Sequence, residues 1–204
     1  MTLRPWYGAV ALSVVFFLLP VALTACGNSA KPDFLSTEIT GANLGKDFKL
    51  VDHTGRIRTL ADFKGKAVVL FFGYTHCPDA CPATMGNIAA ALKKLGAEAQ
   101  RVQVLFVTVD PERDTPELLA QYLSGFDPTI LGLSGSVQEI RDLAGEFKVF
   151  YQKQAGDTPE HHTVDHSLGT FIYDTAGTLR LYLSNDKDGD VFAHDIAELL
   201  KTSG

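Results

Sequence analysis

Six apolar residues in a row, Ala67-Val68-Val69-Leu70-Phe71-Phe72, run without a break into Gly73-Tyr74-Thr75-His76-Cys77-Pro78-Asp79-Ala80-Cys81-Pro82. A short run so rich in Val and Phe suits a strand covered on both faces, as in the middle of a parallel sheet. Beyond the cysteines, Met85, Ile88, Ala89, Leu92 and Leu95 recur at helical spacing, with Lys93 and Lys94 off the stripe and Gly96 as a stop. A buried strand followed at once by an amphipathic helix calls for a layered α/β body. The two thiols sit at that junction, where a cysteine pair either trades electrons as a disulfide or holds a soft metal ion.

The rest of the chain repeats the pattern. Residues 47–51 and 56–60 flank His53-Thr54-Gly55 and read as two short strands around a turn. Residues 102–109 form a second apolar strand, ending at Asp110-Pro111-Glu112-Arg113-Asp114, and Thr115-Pro116 supplies an N-cap and first residue for a helix. Residues 130–133 read as a short edge strand, and Ser136-Val137-Gln138-Glu139 is a capping box that opens a helix reaching about Phe147. Residues 151–165 are polar and read as an insertion or long loop. Residues 168–173 and 178–183 around Asp174-Thr175-Ala176-Gly177 give a hairpin, and a closing helix runs from about Val191 to Lys201. This order predicts an α/β, thioredoxin-like fold: a central mixed sheet, parallel at its core and antiparallel at its edge, flanked by helices.

The first residues have another character. Arg4 precedes an almost continuous apolar run over residues 7–23, and Leu23-Thr24-Ala25-Cys26 resembles the lipobox of bacterial lipoproteins. The expected organisation is therefore a lipoprotein-type signal peptide over residues 1–25, a tether over 26–45 with Cys26 carrying lipid, and one folded domain over 46–204. An uncleaved anchor is the alternative, because the apolar run approaches the roughly 18–20 residues that span a bilayer. Both readings hold the body at a membrane on the periplasmic or extracytoplasmic side of a bacterial envelope. The formal net charge is −6 and Arg4 is the only charge in the first 25 residues, so the body is acidic and a poor match for nucleic acid. An oxidising compartment turns paired thiols into a disulfide unless a reductant or a metal intervenes.

Pro78 and Pro82 disfavour helical geometry for the residues before them, so Cys77 and Cys81 are not expected at ideal positions of one regular helix. Cys81 is expected to cap a helix that begins at Pro82, with both sulfurs near its N-terminus. Disulfide sulfurs lie roughly 2 Å apart, whereas sulfurs sharing a metal stand up to roughly 4.6 Å apart. Three intervening residues make the wider arrangement comfortable without excluding the narrower. Soft thiolates favour Cu(I), and an added neutral imidazole accommodates Cu(II) as well. Of the six histidines, His166 is best placed for a third ligand, because it precedes the strand at which a thioredoxin-like chain returns to the first helix N-terminus. Its alternative is a loop histidine bonded to its neighbours. His76 is expected to point away, His161 and His162 to face solvent or help deliver metal, His53 to sit in a turn and His194 on a helix surface.

The segments Phe71 through Pro82, Val109-Asp110-Pro111-Glu112-Arg113-Asp114-Thr115-Pro116-Glu117 and Val164-Asp165-His166-Ser167 together resemble the signatures of the Sco/SenC family, over roughly residues 48–200. The resemblance implies a membrane-tethered metallochaperone that binds one copper per chain and delivers it to, or helps mature, the binuclear copper centre of cytochrome c oxidase. It implies Cys77, Cys81 and His166 as copper ligands, and places Asp79 and Asp110 around the metal or at a partner surface; Asp110 equally serves as a turn residue before proline. The implied partners are the copper-accepting oxidase subunit, a further periplasmic copper chaperone or thiol reductant, and membrane lipid through Cys26. The rival reading is an extracytoplasmic thiol-disulfide oxidoreductase in which Cys77 attacks and Cys81 resolves, with no need for His166. A peroxidase is disfavoured, since Tyr74 stands where a peroxiredoxin-type site has threonine.

Overall fold

All seven residues of one strand, Ala67–Gly73, are buried, which places it inside a sheet covered on both sides. The computed structural model describes residues 1–3, 32–157 and 162–202. The chain divides into two units, Met1–Ala30 and Lys31–Gly204. Of the first, only residues 1–3 are described, exposed and outside any helix or strand; the apolar run at 7–23 and Cys26 lie outside the described residues. Among the described residues no helix is long and apolar enough to cross a membrane.

In chain order the elements of the second unit are β1 (Thr37–Glu38), β2 (Lys49–Asp52), β3 (Ile57–Thr59), β4 (Ala67–Gly73), α1 (Ala80–Leu95), β5 (Val102–Thr108), α2 (Pro116–Ser124), β6 (Leu131–Ser134), α3 (Val137–Glu146), β7 (Tyr151–Gln154), β8 (Thr163–His166), β9 (Thr170–Tyr173), β10 (Leu179–Leu183) and α4 (Gly189–Thr202). Eight strands form one sheet in the order β1-β10-β9-β4-β5-β6-β2-β3, while β7 and β8 pair only with each other. The β4-β5 and β5-β6 ladders are parallel. The β9, β10 and β1 side and the β2 and β3 side are antiparallel. The predicted parallel core with antiparallel margins is therefore present, with antiparallel strands on both sides.

Side chains alternate across a strand, so Phe71 and Phe72 serve opposite layers. Phe71 lies beside Phe106, which meets Tyr122 of α2, whereas Phe72 and Phe171 pack on Phe147 just after α3. The two ring clusters cement helices to the two faces. The caps follow the sequence: Thr115 Oγ1 accepts from Leu118 N ahead of Pro116, and Ser136 and Glu139 form a reciprocal capping box.

Three elements depart from the sequence reading. β6 is interior, because β2 adds to its far side through Val51 and Ser134; a four-residue apolar segment carries no mark of whether a later pairing will cover it. The ends of the stretch read as an insertion or loop are strands, since β7 and β8 make an antiparallel ribbon in which Tyr151 faces His166 and Lys153 faces Val164. α1 begins at Ala80, so Cys81 and Pro82 lie inside its first turn. Proline is tolerated there because the first N–H groups have no helical acceptor to lose.

Residues 35–45, inside the stretch expected as a tether, pack on the body. Leu35 N and Ser36 N donate to the buried Asp195 carboxylate at 2.8 and 3.0 Å, and β1 pairs with β10. Gly45, at φ +41°, lies so close beneath Phe147 that a Cβ there would stand 2.2 Å from the ring.

Candidate metal centre

β4 delivers the chain to the edge of the core, and Tyr74, its next residue, is buried. The turn that follows is short: Cys77 N donates to the Tyr74 carbonyl at 3.3 Å. Asp79 occupies the N-cap position of α1, but its side chain makes no cap hydrogen bond. The Cys77 sulfur takes that role, accepting from Cys81 N at 3.3 Å. Both cysteines are free thiols, Cys77 half-buried and Cys81 buried.

The third candidate arrives from the other end of the chain. His166 ends β8, and its Nε2 lies 3.2 Å from Cys81 Sγ. Its Nδ1 lies 3.0 Å from the Ser167 carbonyl oxygen, which can only accept, so Nδ1 carries the proton and Nε2 presents its lone pair to the sulfur. Phe71 and Tyr74 meet the imidazole edge-on at 6.2 and 5.8 Å between centroids. Burial lowers the His166 pKa, with the Ser167 hydrogen bond offsetting part of the effect, so the neutral, metal-competent form is favoured. Burial likewise pushes the Cys81 thiol up. A metal taking this sulfur therefore displaces its proton.

The donor atoms of Cys77, Cys81 and His166 all lie within 4.8 Å of one another, the one such cluster of three among the described residues. Thiolate and imidazole donors sharing one ion stand at most roughly 4.3–4.6 Å apart, so a small side-chain rotation closes the triad on a metal. Two sulfurs and one imidazole suit copper in either common oxidation state. Cys77 is only half-buried, which makes it the more accessible sulfur of the pair to an incoming thiol or ligand.

The SCO1/SenC family model matches residues 36–201. The chain belongs to the SCO1/SenC family. The mitochondrial SCO2 homologue of Bos taurus is 40% identical over 146 residues, covering 71% of this chain and 55% of that protein. The chain spans 55–60% of the length of the bovine, human, mouse and zebrafish relatives. Apo Sco1 from Thermus thermophilus superposes with a TM-score of 0.74 at 42% identity, covering 84% of this chain and 99% of that one. Copper-bound ScoI from Bradyrhizobium japonicum superposes with a TM-score of 0.71 at 36% identity, covering 78% and 100%. Copper-bound yeast Sco1 gives 0.72 at 32%, covering 79% and 90%.

The remaining expected residues of this SCO1/SenC chain are distributed as follows. Asp79 is exposed at the α1 N-cap. Asp110 is fully buried and pairs with Arg113, with Lys153 Nζ at 3.3 Å and with His162 Nε2 at 3.0 Å. His162 therefore does not face solvent as expected; its side chain is 13% exposed, and His161 lies outside the described residues. His76 is half-exposed, with Nδ1 3.0 Å from Thr75 Oγ1, and is not part of the triad. His53 accepts from Gly132 N at 3.0 Å beside its turn, and His194 sits on α4 next to Asp195.

Sequence reasoning passed over two residues of this neighbourhood. Tyr74 accepts from Val164 N at 3.3 Å through its hydroxyl, tying β8 to the cysteine loop. The buried Asp114 carboxylate accepts from Thr75 N and Oγ1 and from Thr108 Oγ1. The only local signal for Asp114 was its place in a charged segment directly after a buried strand.

Proposed function

We propose that this chain is an extracytoplasmic copper carrier in which Cys77, Cys81 and His166 hold one copper ion that is passed on during maturation of the copper centre of cytochrome c oxidase. The observation that carries the reading is the Cys77-Cys81-His166 triad, with its donor atoms within 4.8 Å and its histidine lone pair aimed at sulfur. Copper-bound relatives at 36% and 32% identity support the choice of metal. Cys81 and His166 hold the enclosed side of the ion, while half-buried Cys77 is reachable by a partner's ligand. Transfer then proceeds by ligand exchange, with the outer sulfur released first. The copper-accepting oxidase subunit is the proposed recipient, and a second copper chaperone or a thiol reductant the proposed source of metal or electrons. Cys26 lipid is the proposed attachment.

Copper titration of the reduced protein, with the oxidation state recorded, tests the reading. One equivalent is expected for the wild type; failure of the reduced protein to take up copper would falsify it, as would unchanged Cu(II) binding in His166→Ala.

The bond from Cys81 N to Cys77 Sγ also favours a second reading, because it holds both sulfurs at one helix N-terminus. The Cys77 thiolate attacks a partner disulfide, forming a mixed disulfide and releasing one partner thiolate. Cys81, deprotonated, then attacks Cys77, releasing the second partner thiolate and leaving a Cys77–Cys81 disulfide. Two electrons pass to the partner, and an external thiol reductant restores the pair. A mixed disulfide trapped in Cys81→Ser, with undiminished activity in His166→Ala, would select this reading.

A further inference from the structure

The three donors come from two pieces of chain with different attachments. Cys77 and Cys81 follow β4, whereas His166 ends the β7-β8 ribbon, which shares no ladder with the eight-stranded sheet. Two-stranded ribbons are marginally stable in water unless they pack against something. The link between the pieces is the loop 110–114, which follows β5 and folds back on itself through Arg113 N and Asp114 N, both donating to the Asp110 carbonyl.

The two ends of this loop face opposite ways. Asp114, 1% exposed, grips the start of the cysteine loop: Thr75 N donates to it at 3.1 Å and Thr75 Oγ1 at 2.6 Å, while Thr108 Oγ1 braces it at 2.6 Å. Asp110, fully buried, grips both strands of the ribbon. Lys153 reaches it from β7 at 3.3 Å, and His162, immediately ahead of β8, at 3.0 Å. Lys153 also pairs with Glu112 of the same loop. Between the two ends the Arg113 guanidinium pairs with Asp110 and lies 6.0 Å from the centroid of Tyr74, whose hydroxyl accepts from Val164 N of β8. A buried carboxylate needs polar partners, and of the three side chains on Asp110 only Arg113 belongs to its own loop, so swinging the ribbon away strips Asp110 of its contacts with Lys153 and His162.

We propose that the loop 110–114 is the positioning element of the metal centre, with Asp114 setting the cysteine loop through Thr75 and Asp110 setting His166 by clamping the ribbon through Lys153 and His162. Neither aspartate touches a donor atom; both act through the segments that carry the donors. The metal named in the test rests on the copper reading, but the positioning role is a property of the metal-free protein.

Hydrogen exchange of the metal-free chain, resolved by segment, is the primary measurement. Asp110→Asn keeps the shape and removes the charge. It is expected to speed exchange of the amides at 151–154 and 163–166 by roughly 10-fold or more, while β4, β5 and α1 hold their wild-type rates. Lys153→Gln, at a side chain 36% exposed, is expected to give the same pattern in smaller degree, and combining the two is expected to add less than the sum of their separate effects. Thr75→Ala is expected to loosen residues 74–79 and leave the ribbon unchanged. In copper-loaded protein, Asp110→Asn is expected to weaken the imidazole nitrogen coupling in the Cu(II) resonance spectrum, with the two-sulfur signature retained. Unchanged ribbon exchange in both Asp110→Asn and Lys153→Gln, or equal acceleration throughout the body, overturns the proposal. If the wild type takes up no copper, the copper reading fails while the exchange result still decides this one. Should Asp110→Asn not fold, Lys153→Gln carries the same decision.

Discussion

Cys77 and Cys81 leave a strand whose seven residues are all buried, whereas His166 ends a four-residue strand that alternates between exposed and covered positions in a separate ribbon. The sulfur half inherits its position from the core, where β4 is paired along its length with β5 and with β9. The imidazole half adds to the core through Val164 and the rings around His166, and relies besides on polar contacts: the Asp110 contacts with Lys153 and His162, the Tyr74–Val164 hydrogen bond and the Phe150–Ser167 closure at the ribbon base. Apolar burial spread over a sheet is lost only when the domain unfolds, while a few polar contacts can open locally. In the metal-free protein the ribbon is therefore the half of the site that opens locally, while the strand that carries the sulfurs stays with the core.

Substitutions can break this contrast at either half. The largest effect is expected for Cys81→Ser, which removes the buried sulfur that lies 3.2 Å from His166 Nε2; copper affinity should fall by at least roughly 100-fold by competition titration, since a soft metal loses a thiolate for a hard hydroxyl. His166→Ala comes next. Loss of Cu(II) affinity of roughly 10–100-fold or more is expected, this being the range for losing even an outer partner of a ligand, with Cu(I) binding through the two sulfurs largely kept and thermal unfolding nearly unchanged.

Tyr74→Phe sharpens the comparison without touching a donor. It leaves the Val164 N–H, at a residue only 4% exposed, without its acceptor, which costs about 1–3 kcal/mol. Chemical denaturation with ribbon-specific exchange should place that loss at β7 and β8 rather than at β4. Acid should act on the same half. Burial alone would raise the pKa of Asp110, yet its hydrogen bonds and charge pairing with Arg113 and Lys153 prevail and hold it below the ordinary carboxylate value. A carboxyl depressed by folding contributes stability that is full above its unfolded pKa of about 3.9 and is lost as pH falls through the folded value. Arg113, Lys153 and His162 face it, with Glu112 beyond Lys153. Amide spectra of the ribbon should accordingly change below about pH 4 while those of β4 persist, and Asp110→Asn should remove that step. The smallest effect belongs to His76→Ala, expected to leave copper affinity within about 2-fold by the same titration, because His76 stands outside the triad.

Local sequence was enough for most elements whose signal is periodicity or a cap: β4, β5, the β9-β10 hairpin, the Thr115-Pro116 start of α2 and the Ser136–Glu139 box all lie where the pattern puts them, whereas the cap expected at Cys81 falls inside α1. It was not enough for the ribbon. Tyr151-Gln152-Lys153-Gln154 is a polar strand, three of its four residues exposed, so no alternation of apolar residues marks it. His162 failed for a related reason: a histidine in a polar stretch carries no sign that a carboxylate 52 residues away will bury against it.

From sequence alone came the layered α/β body, the thiol pair at a strand-to-helix junction and the choice of His166, because hydrophobic period, proline placement and motif order are properties of adjacent residues. Only the tertiary structure decided that β6 is interior, that the Cys77 sulfur caps α1, and that loop 110–114 ties the ribbon to the cysteine loop. Each of these depends on contacts between distant segments, such as the 85 residues that separate Cys81 from His166. Such contacts are fixed by how the whole core packs, not by the preferences of either segment.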